Sequence, residues 1–443
     1  MPTRIVVLGG GFGGVYSALH LERELGGEIR RGEVEITLVS RDNFFLFTPM
    51  LHEVAASDLD ITHIVSPLRT LLDHTEVFVG DVQSIDLPSR RVVVSHGRDR
   101  HAHELPYDHL VVGLGSITNF YGLPGLEQRA LTMKTLGDAI HLRNRVIATL
   151  EEGDTECAVR GDGLLTFVVA GGGFAGVETL AGLNDFVREA LRYYPRLSAD
   201  RIRMVLVHSG QTILPELGET LGAYAQAKLA ARGVEIVTNA RVSGVTADEV
   251  CLADGRRIPS QLVVWTAGTS PHPLMHELPC GLDRGRILVD ETLAVPNWPG
   301  VWALGDCAVV PDIRTGKPHP PTAQHALREA RVLARNIAAT LAGKKATVFD
   351  FRTIGQLAAI GRRTGVARVF GINFSGFFAW WLWRTIYLSK LPRFEKKLRV
   401  AIDWTLDLMF TKDFVQFLTV RAPVMSTRAE PAVVMPAEIE VVK

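Results

Sequence analysis

Two glycine runs carry the first chemistry this chain can do: Gly9-Gly10-Gly11-Phe12-Gly13-Gly14 and Gly171-Gly172-Gly173-Phe174-Ala175-Gly176. Both have the G-x-G-x-x-G spacing. In it the first glycine permits a tight turn, the second lets backbone approach a pyrophosphate, and the third lets a helix pack closely on a strand. Gly9, Gly11 and Gly14 take those roles in the first copy, with Gly13 inside the same loop, and Gly171, Gly173 and Gly176 take them in the second. The helix that follows offers free N–H groups and the positive end of its dipole to the phosphates. Two dinucleotide cradles on one polypeptide imply one held and one exchanging cofactor. The pair they point to is FAD and NAD(P)H, with hydride passing from the soluble donor to the held acceptor.

The flanking elements are what upgrade two glycine runs to cradles. Ile5-Val6-Val7-Leu8 reads as a buried parallel strand, and Glu35-Ile36-Thr37-Leu38-Val39 closes the first βαβ unit. Thr166-Phe167-Val168-Val169-Ala170 and Met204-Val205-Leu206-Val207 do the same for the second, with a polar insertion around Tyr193 to Asp200. The copies lie about 160 residues apart, whereas solenoid periods run about 20–50, so the repeat is a duplicated domain. The fold class is therefore α/β: two Rossmann-like dinucleotide-binding domains, for FAD and NAD, plus a C-terminal membrane-associating region with amphipathic helices. The expected boundaries are 1–120 for the first part of the FAD domain, 121–290 for the NAD(P)H domain and 291–345 for the second part of the FAD domain. Residues 346–422 are expected to form a membrane-anchoring domain and 423–443 a loose tail.

The closing strand of such a unit ordinarily ends in an acid that holds a ribose hydroxyl. Here the first copy offers Ser40, followed by Arg41 and Asp42, and the second offers His208-Ser209. Serine can hydrogen-bond a ribose, and no arginine beside His208 welcomes a 2′-phosphate, so NADH is favoured over NADPH.

Bulk properties exclude several classes. A chain of 443 residues is long enough for two to three domains. Its 48 basic and 48 acidic side chains balance, leaving no global field to draw nucleic acid. Cys157, Cys251, Cys280 and Cys307 show neither C-x-x-C nor C-x-x-x-x-C spacing, which argues against a zinc site, a disulfide framework or a redox dithiol. No metal is expected, and the thiols read as reduced, in a cytosolic protein. There is no secretory signal and no apolar run of about 18 residues.

Several segments resemble the type II NADH dehydrogenases, the single-subunit, non-pumping NADH:quinone oxidoreductases of the two-dinucleotide-binding flavoprotein superfamily. They are Phe45-Leu46-Phe47-Thr48-Pro49-Met50-Leu51, Gly173-Phe174-Ala175-Gly176-Val177-Glu178, Trp302-Ala303-Leu304-Gly305-Asp306-Cys307-Ala308 and Pro320-Pro321-Thr322-Ala323-Gln324-His325-Ala326. The resemblance implies that Gly9, Gly11 and Gly14 hold the FAD pyrophosphate and that Asp306, after Gly305, bonds the ribityl or pyrophosphate part. It places the strand ends at Gly115 and Gly268 beside the cofactors and sets Glu178 against the nicotinamide. Read from the residues alone, Glu178 is an acid in the first turn of its helix, favoured by the dipole. Ala323-Gln324-His325-Ala326-Leu327-Arg328 falls on the family's A-Q-x-A-x-Q quinone motif, with Arg328 where many members have glutamine. His325 reads as structural.

Residues 376–389 are almost unbroken apolar, and Lys390, Arg393, Lys396, Lys397 and Arg399 follow. Fourteen residues cannot cross a hydrocarbon core of about 30 Å. Trp404, Leu408, Phe414 and Phe417, with Asp403, Asp407 and Thr411 on an opposing face, read as an amphipathic helix lying on a membrane surface. A helix buried in a homodimer interface would look similar. The expected location is the cytoplasmic face of the cell membrane, peripheral and monotopic, where a quinone partner enters from the bilayer.

The resulting expectation is hydride transfer from NADH to FAD, then two electrons to a membrane quinone beside Gln324. Rivals are an NADPH-preferring reductase, a sulfide:quinone oxidoreductase, which needs cysteines poised at the flavin, and a redox-sensing flavoprotein in the manner of apoptosis-inducing factors. Disulfide reductases fall for want of a paired-cysteine motif.

Overall fold

The computed structural model describes residues 1–97, 99–155, 163–407 and 409–417. The tail expected at 423–443, the end of the 346–422 region, Cys157 and Leu408 lie outside the described residues.

Ile5, Val6, Val7 and Leu8 are buried, and such a β-branched run suits the middle of a parallel sheet covered on both faces. Their strand, Thr3–Leu8, pairs in parallel with Val34–Ser40 on one side and His109–Val112 on the other. Glu76–Val79 and Val301–Ala303 complete five strands, in the order 301–303, 109–112, 3–8, 34–40, 76–79. The second sheet repeats this plan. Thr166–Ala170 lies between Arg203–Val207 and Leu262–Trp265, and Val234–Val237 forms the edge beyond Arg203–Val207. The fold is thus two Rossmann-type α/β units with the second inserted into the first, since the edge strand Val301–Ala303 returns to the first sheet after the second is finished.

That return has a structural effect. After Val301–Ala303 the chain forms the helix Ala323–Leu341, which packs along Phe12–Glu24, the helix that opens from the first glycine loop. In the second sheet the corresponding edge position is a single bridge, Leu131 to Val264.

The C-terminal part is a three-stranded antiparallel sheet, Gly355–Ala359, Gly365–Val369 and Ile372–Ser375, followed by helices Gly376–Lys390 and Phe394–Leu406. At ~1.5 Å per residue, the 15-residue helix Gly376–Lys390 is about 22 Å long. Among the described residues no helix is long and apolar enough to cross a membrane.

The surface helix differs from the sequence expectation. It ends at Leu406, and Trp404 points inward, 7% exposed, with Lys396 and Val400 on the same buried stripe. Phe414 packs against Phe186 and Tyr193, and Phe417 lies beneath the Arg143 guanidinium. The exposed apolar stripe is instead Phe394, Leu398, Ile402 and Leu406, at 80, 54, 47 and 44% exposure. The inward face is decided by distant partners: Trp404 Nε1 donates to Glu53 at 3.1 Å and Lys396 Nζ to Thr62 O at 2.7 Å. Those residues lie more than 300 positions away, beyond the reach of a local pattern.

Candidate functional site

The two glycine loops share one geometry. Gly9 has φ +108° and Gly171 φ +127°, a region that disfavours L side chains. A Cβ at Gly14 would stand 1.9 Å from Gly9 O, and one at Gly176 1.9 Å from Gly171 O. Gly11 faces open space, and only Glu216 Oε1 at 4.0 Å approaches a Cβ built on Gly173. Each loop therefore closes on itself at the first and third glycines and opens at the second, where the helix N-terminus begins. A pyrophosphate fits that concavity in both copies.

Ser40 and His208 occupy equivalent places behind these loops. A Cβ on Gly10 would meet Ser40 Oγ at 2.1 Å, and one on Gly172 would meet the His208 ring at 2.6 Å. Ser40 is buried and donates to Asp42 O at 2.7 Å. His208 Nδ1 accepts from Gly172 N at 3.3 Å, while Nε2 donates to Thr212 O at 3.1 Å. The polar atoms of Ser40 and His208 thus hydrogen-bond within their own loops. Arg41, next to Ser40, is exposed.

Around the first loop the chain builds a polar network. Ser116 Oγ donates to Asp306 Oδ2 at 2.7 Å and accepts from Lys134 Nζ at 2.9 Å. Asp306 follows Gly305, whose φ of +70° makes the turn and whose N–H donates to the buried Glu329 at 2.8 Å. Burial raises Glu329 to about 7, and burial lowers Lys134 against the opposing pull of Asp306. These groups fit a cofactor rich in hydroxyls and phosphates, with a carboxylate to accept and an ammonium to neutralise. Gly115 has φ +67° and open space beside it. Gly268 instead lies under the Tyr121 ring, where a Cβ would be 2.5 Å from Tyr121 Cε2. Sequence reasoning missed Lys134 and Glu329, which no spacing links to the glycine loop.

Ala323 begins its helix, and Gln324 Nε2 donates to Gly355 O at 3.3 Å. Arg328 donates to Gln324 O at 2.8 Å and lies over Phe351, 4.3 Å from the ring centroid. Its charge is engaged by a ring face and by helix backbone. His325 is buried, with Nδ1 at 2.7 Å from Thr322 Oγ1, in agreement with a structural role.

Glu178 is the fifth residue of helix Phe174–Ala190, outside its first turn, because the helix starts at Phe174. The dipole reading therefore does not hold. The carboxylate is 8% exposed, and Oε1 accepts from Ala359 N at 3.0 Å and Trp383 Nε1 at 2.9 Å. Burial raises its pKa to about 8. Gln324 and Glu178 thus hold opposite ends of one strand, Gly355–Ala359, about 13 Å apart at ~3.3 Å per residue. Rings connect this area to the first loop: Phe12 to Phe47 at 5.7 Å, Phe47 to Tyr387 at 6.2 Å, and Tyr387 to Trp383 at 4.8 Å.

Residues 3–330 match the family described as pyridine nucleotide-disulphide oxidoreductase, and residues 354–413 match the NDH2 C-terminal domain. The chain is 31% identical, over 454 aligned positions, to the type II NADH:quinone oxidoreductase Ndh of Mycobacterium tuberculosis, covering 99% of this chain and 95% of that protein. It is 33% identical to the demethylphylloquinone reductase NdbB of a Synechocystis strain, over 90% of this chain and 95% of that one. The structure of NDH2 from Plasmodium falciparum in complex with NADH superposes with a TM-score of 0.85 at 18% identity. It covers 94% of this chain and all of that one, a likeness of fold.

Proposed function

We infer from its membership of the pyridine nucleotide-disulphide oxidoreductase family, in the branch that carries the NDH2 C-terminal domain, that this chain is a type II NADH:quinone oxidoreductase. It is an FAD-dependent enzyme that oxidises NADH and reduces a quinone without pumping protons. The observation that carries the reading is the pair of self-closed glycine loops, each open only at its second glycine. Bound flavin supplies the two-electron chemistry.

The protein's own residues divide the remaining work. Gly9, Gly11, Gly13 and Gly14 cradle the FAD pyrophosphate, with Asp306 and Lys134 beside them and Arg41 at the exposed strand end. Gly171, Gly173 and Gly176 cradle that of NADH. Glu178, held by Ala359 and Trp383, faces the reacting centre as a carboxylic acid near neutral pH. Gln324 lines the quinone side with Ala323, its amide oriented by Gly355 O. Arg328, engaged on Phe351, braces that helix where relatives of the motif carry glutamine.

The stripe Phe394, Leu398, Ile402 and Leu406, with Phe377, Phe378 and Trp381, rests on the membrane surface. Lys390, Arg393, Lys397 and Arg399 supply contacts to anionic lipid. The enzyme is a monotopic protein of the cytoplasmic face, and a homodimer covering the same stripe is the competing arrangement. Purified protein should oxidise NADH in the presence of a short-chain quinone and prefer it to NADPH. Inability to oxidise either nucleotide would refute the assignment.

A further inference from the structure

Between the first unit and the second, the chain makes a tight turn at Phe120 to Leu123. Leu123 N donates to Phe120 O at 3.0 Å, and the two residues between them, Tyr121 and Gly122, have left-handed φ of +52° and +63°. A turn of this kind favours asparagine, aspartate or glycine at its first central position, because the Cβ of a larger side chain crowds the following carbonyl oxygen. Here a tyrosine takes that position. Its ring is 59% exposed, whereas Phe120 and Leu123 pack against the buried cluster of the second unit.

The surrounding bonds hold that ring in place. Asn119 Oδ1 accepts from Tyr121 N at 2.7 Å, Asn119 O accepts from Trp265 Nε1 at 2.8 Å, and Asn119 N donates to Gly268 O at 3.1 Å. The ring meets Trp265 edge-on, with centroids 6.4 Å apart, and lies over Gly268. Exposed aromatics standing singly are common on protein surfaces, whereas residues in strained backbone gather at active sites and ligand clamps.

Gly268 sets Tyr121 beside the second cradle. Thr266 Oγ1 would meet a Cβ on Gly171 at 2.4 Å and one on Gly176 at 2.6 Å, so the segment 266–268 leads out of the cradle itself. In a unit of this plan the adenosine half of a dinucleotide lies toward the end of the second strand, which here is at His208. Gly268 follows Leu262–Trp265, the strand on the opposite side of Thr166–Ala170, and the nicotinamide half runs to that side. From there the ribbon of Thr269–Pro271 against Ser116–Thr118 leads to Ser116, which donates to Asp306 on the flavin side. Tyr121 therefore stands between the two cradles, on the path of the reacting half of the nucleotide.

We propose that Tyr121 is a positioning residue for NADH, its exposed ring forming the flat wall against which the nicotinamide riboside rests. This inference rests on the NADH-oxidising reading above. The glycines grip the diphosphate, and the ring orients the half of the molecule that reacts. Gly268 is what lets the ring lie so close, since a Cβ there would stand 2.5 Å from Tyr121 Cε2 and 2.7 Å from its hydroxyl oxygen. The strained backbone at Tyr121 thus opposes folding and serves recognition.

Stability and binding, measured together on full-length, flavin-loaded protein, test this. Asparagine suits the turn better than the native residue, so the melting temperature of Tyr121→Asn should equal or exceed that of the wild type. The NADH concentration that half-saturates flavin bleaching should nevertheless rise about 5- to 20-fold, as loss of one aromatic contact implies. Tyr121→Phe, which keeps the wall, should bind NADH as the wild type does. ADP carries the adenosine and diphosphate without the nicotinamide riboside, and it should inhibit all three proteins equally. Wild-type half-saturation in Tyr121→Asn would overturn the proposal. A matching loss of ADP binding, or a lower melting temperature, would do so too, by marking the ring as structural. If NADH fails to bleach wild-type flavin, the function itself is wrong, a separate outcome.

Discussion

The two glycine cradles are near copies in backbone, yet the chain finishes them differently. The first is covered after it forms: Val301–Ala303 joins its sheet, Asp306 and Glu329 arrive beside its loop, and Ala323–Leu341 lies along its helix. The second has only a lone Leu131 bridge at the equivalent edge. One backbone device thus serves two residence times. A nucleotide enclosed by later-folding chain is retained, whereas one on an uncovered loop can leave each turnover.

The largest effect should come from crowding the third glycines. Gly14→Ala and Gly176→Ala each place a methyl 1.9 Å from a loop carbonyl oxygen, so the first should give colourless protein, whereas the second should stay yellow yet resist bleaching by NADH. If both variants come out colourless, the two cradles do not act separately. Next in size is loss of the Ser116 partner: Asp306→Asn should weaken flavin retention about 10- to 100-fold, since hydrogen bonds to charged groups contribute ~1.5–3 kcal/mol. Equilibrium dialysis of flavin measures this, and NADH affinity should not move.

A third region sharpens the contrast because neither cradle touches it. Serine at Phe394 or Leu398 should cut liposome partition about tenfold or more each, given ~1.5–3 kcal/mol per buried apolar side chain, with quinone-free flavin bleaching unchanged. Retained partition combined with a monomer in place of a dimer would assign the stripe to a second copy. Single substitutions on the stripe are the cleaner test, because truncation after Phe374 would also take Trp383 from Glu178.

The smallest effect concerns pH. Glu329 titrates near 7 when folded against the ordinary 4.5, so the native state holds a proton that the unfolded chain releases. Its contribution to stability therefore falls as pH rises from about 4.5 to 7. Glu329→Gln should flatten that slope by an amount on the order of 1–3 kcal/mol, read from denaturant melts across the window.

Sequence alone shows much of this architecture, for local reasons. A β-branched strand, a glycine loop and a helix start are contiguous, so both cradles and their duplication can be read from short windows around Gly9 and Gly171. What stays hidden depends on chain closure. Ser116 meets Asp306 across 190 positions, Lys134 joins them from a third segment, and Glu53 meets Trp404 across 351. No local pattern shows that Ser40 and His208 pack, in three dimensions, against Gly10 and Gly172 of the two loops. Helix Phe394–Leu406 misleads because either stripe is amphipathic on a wheel, and only the buried partners decide which side turns in.

The indole clamps also impose an order on synthesis. Trp383 and Trp404 leave the ribosome after both nucleotide sites are already made, and until they do Glu178 and Glu53 lack these donors. The two buried carboxyls are thus pinned only once the C-terminal helices have docked onto the earlier-made units.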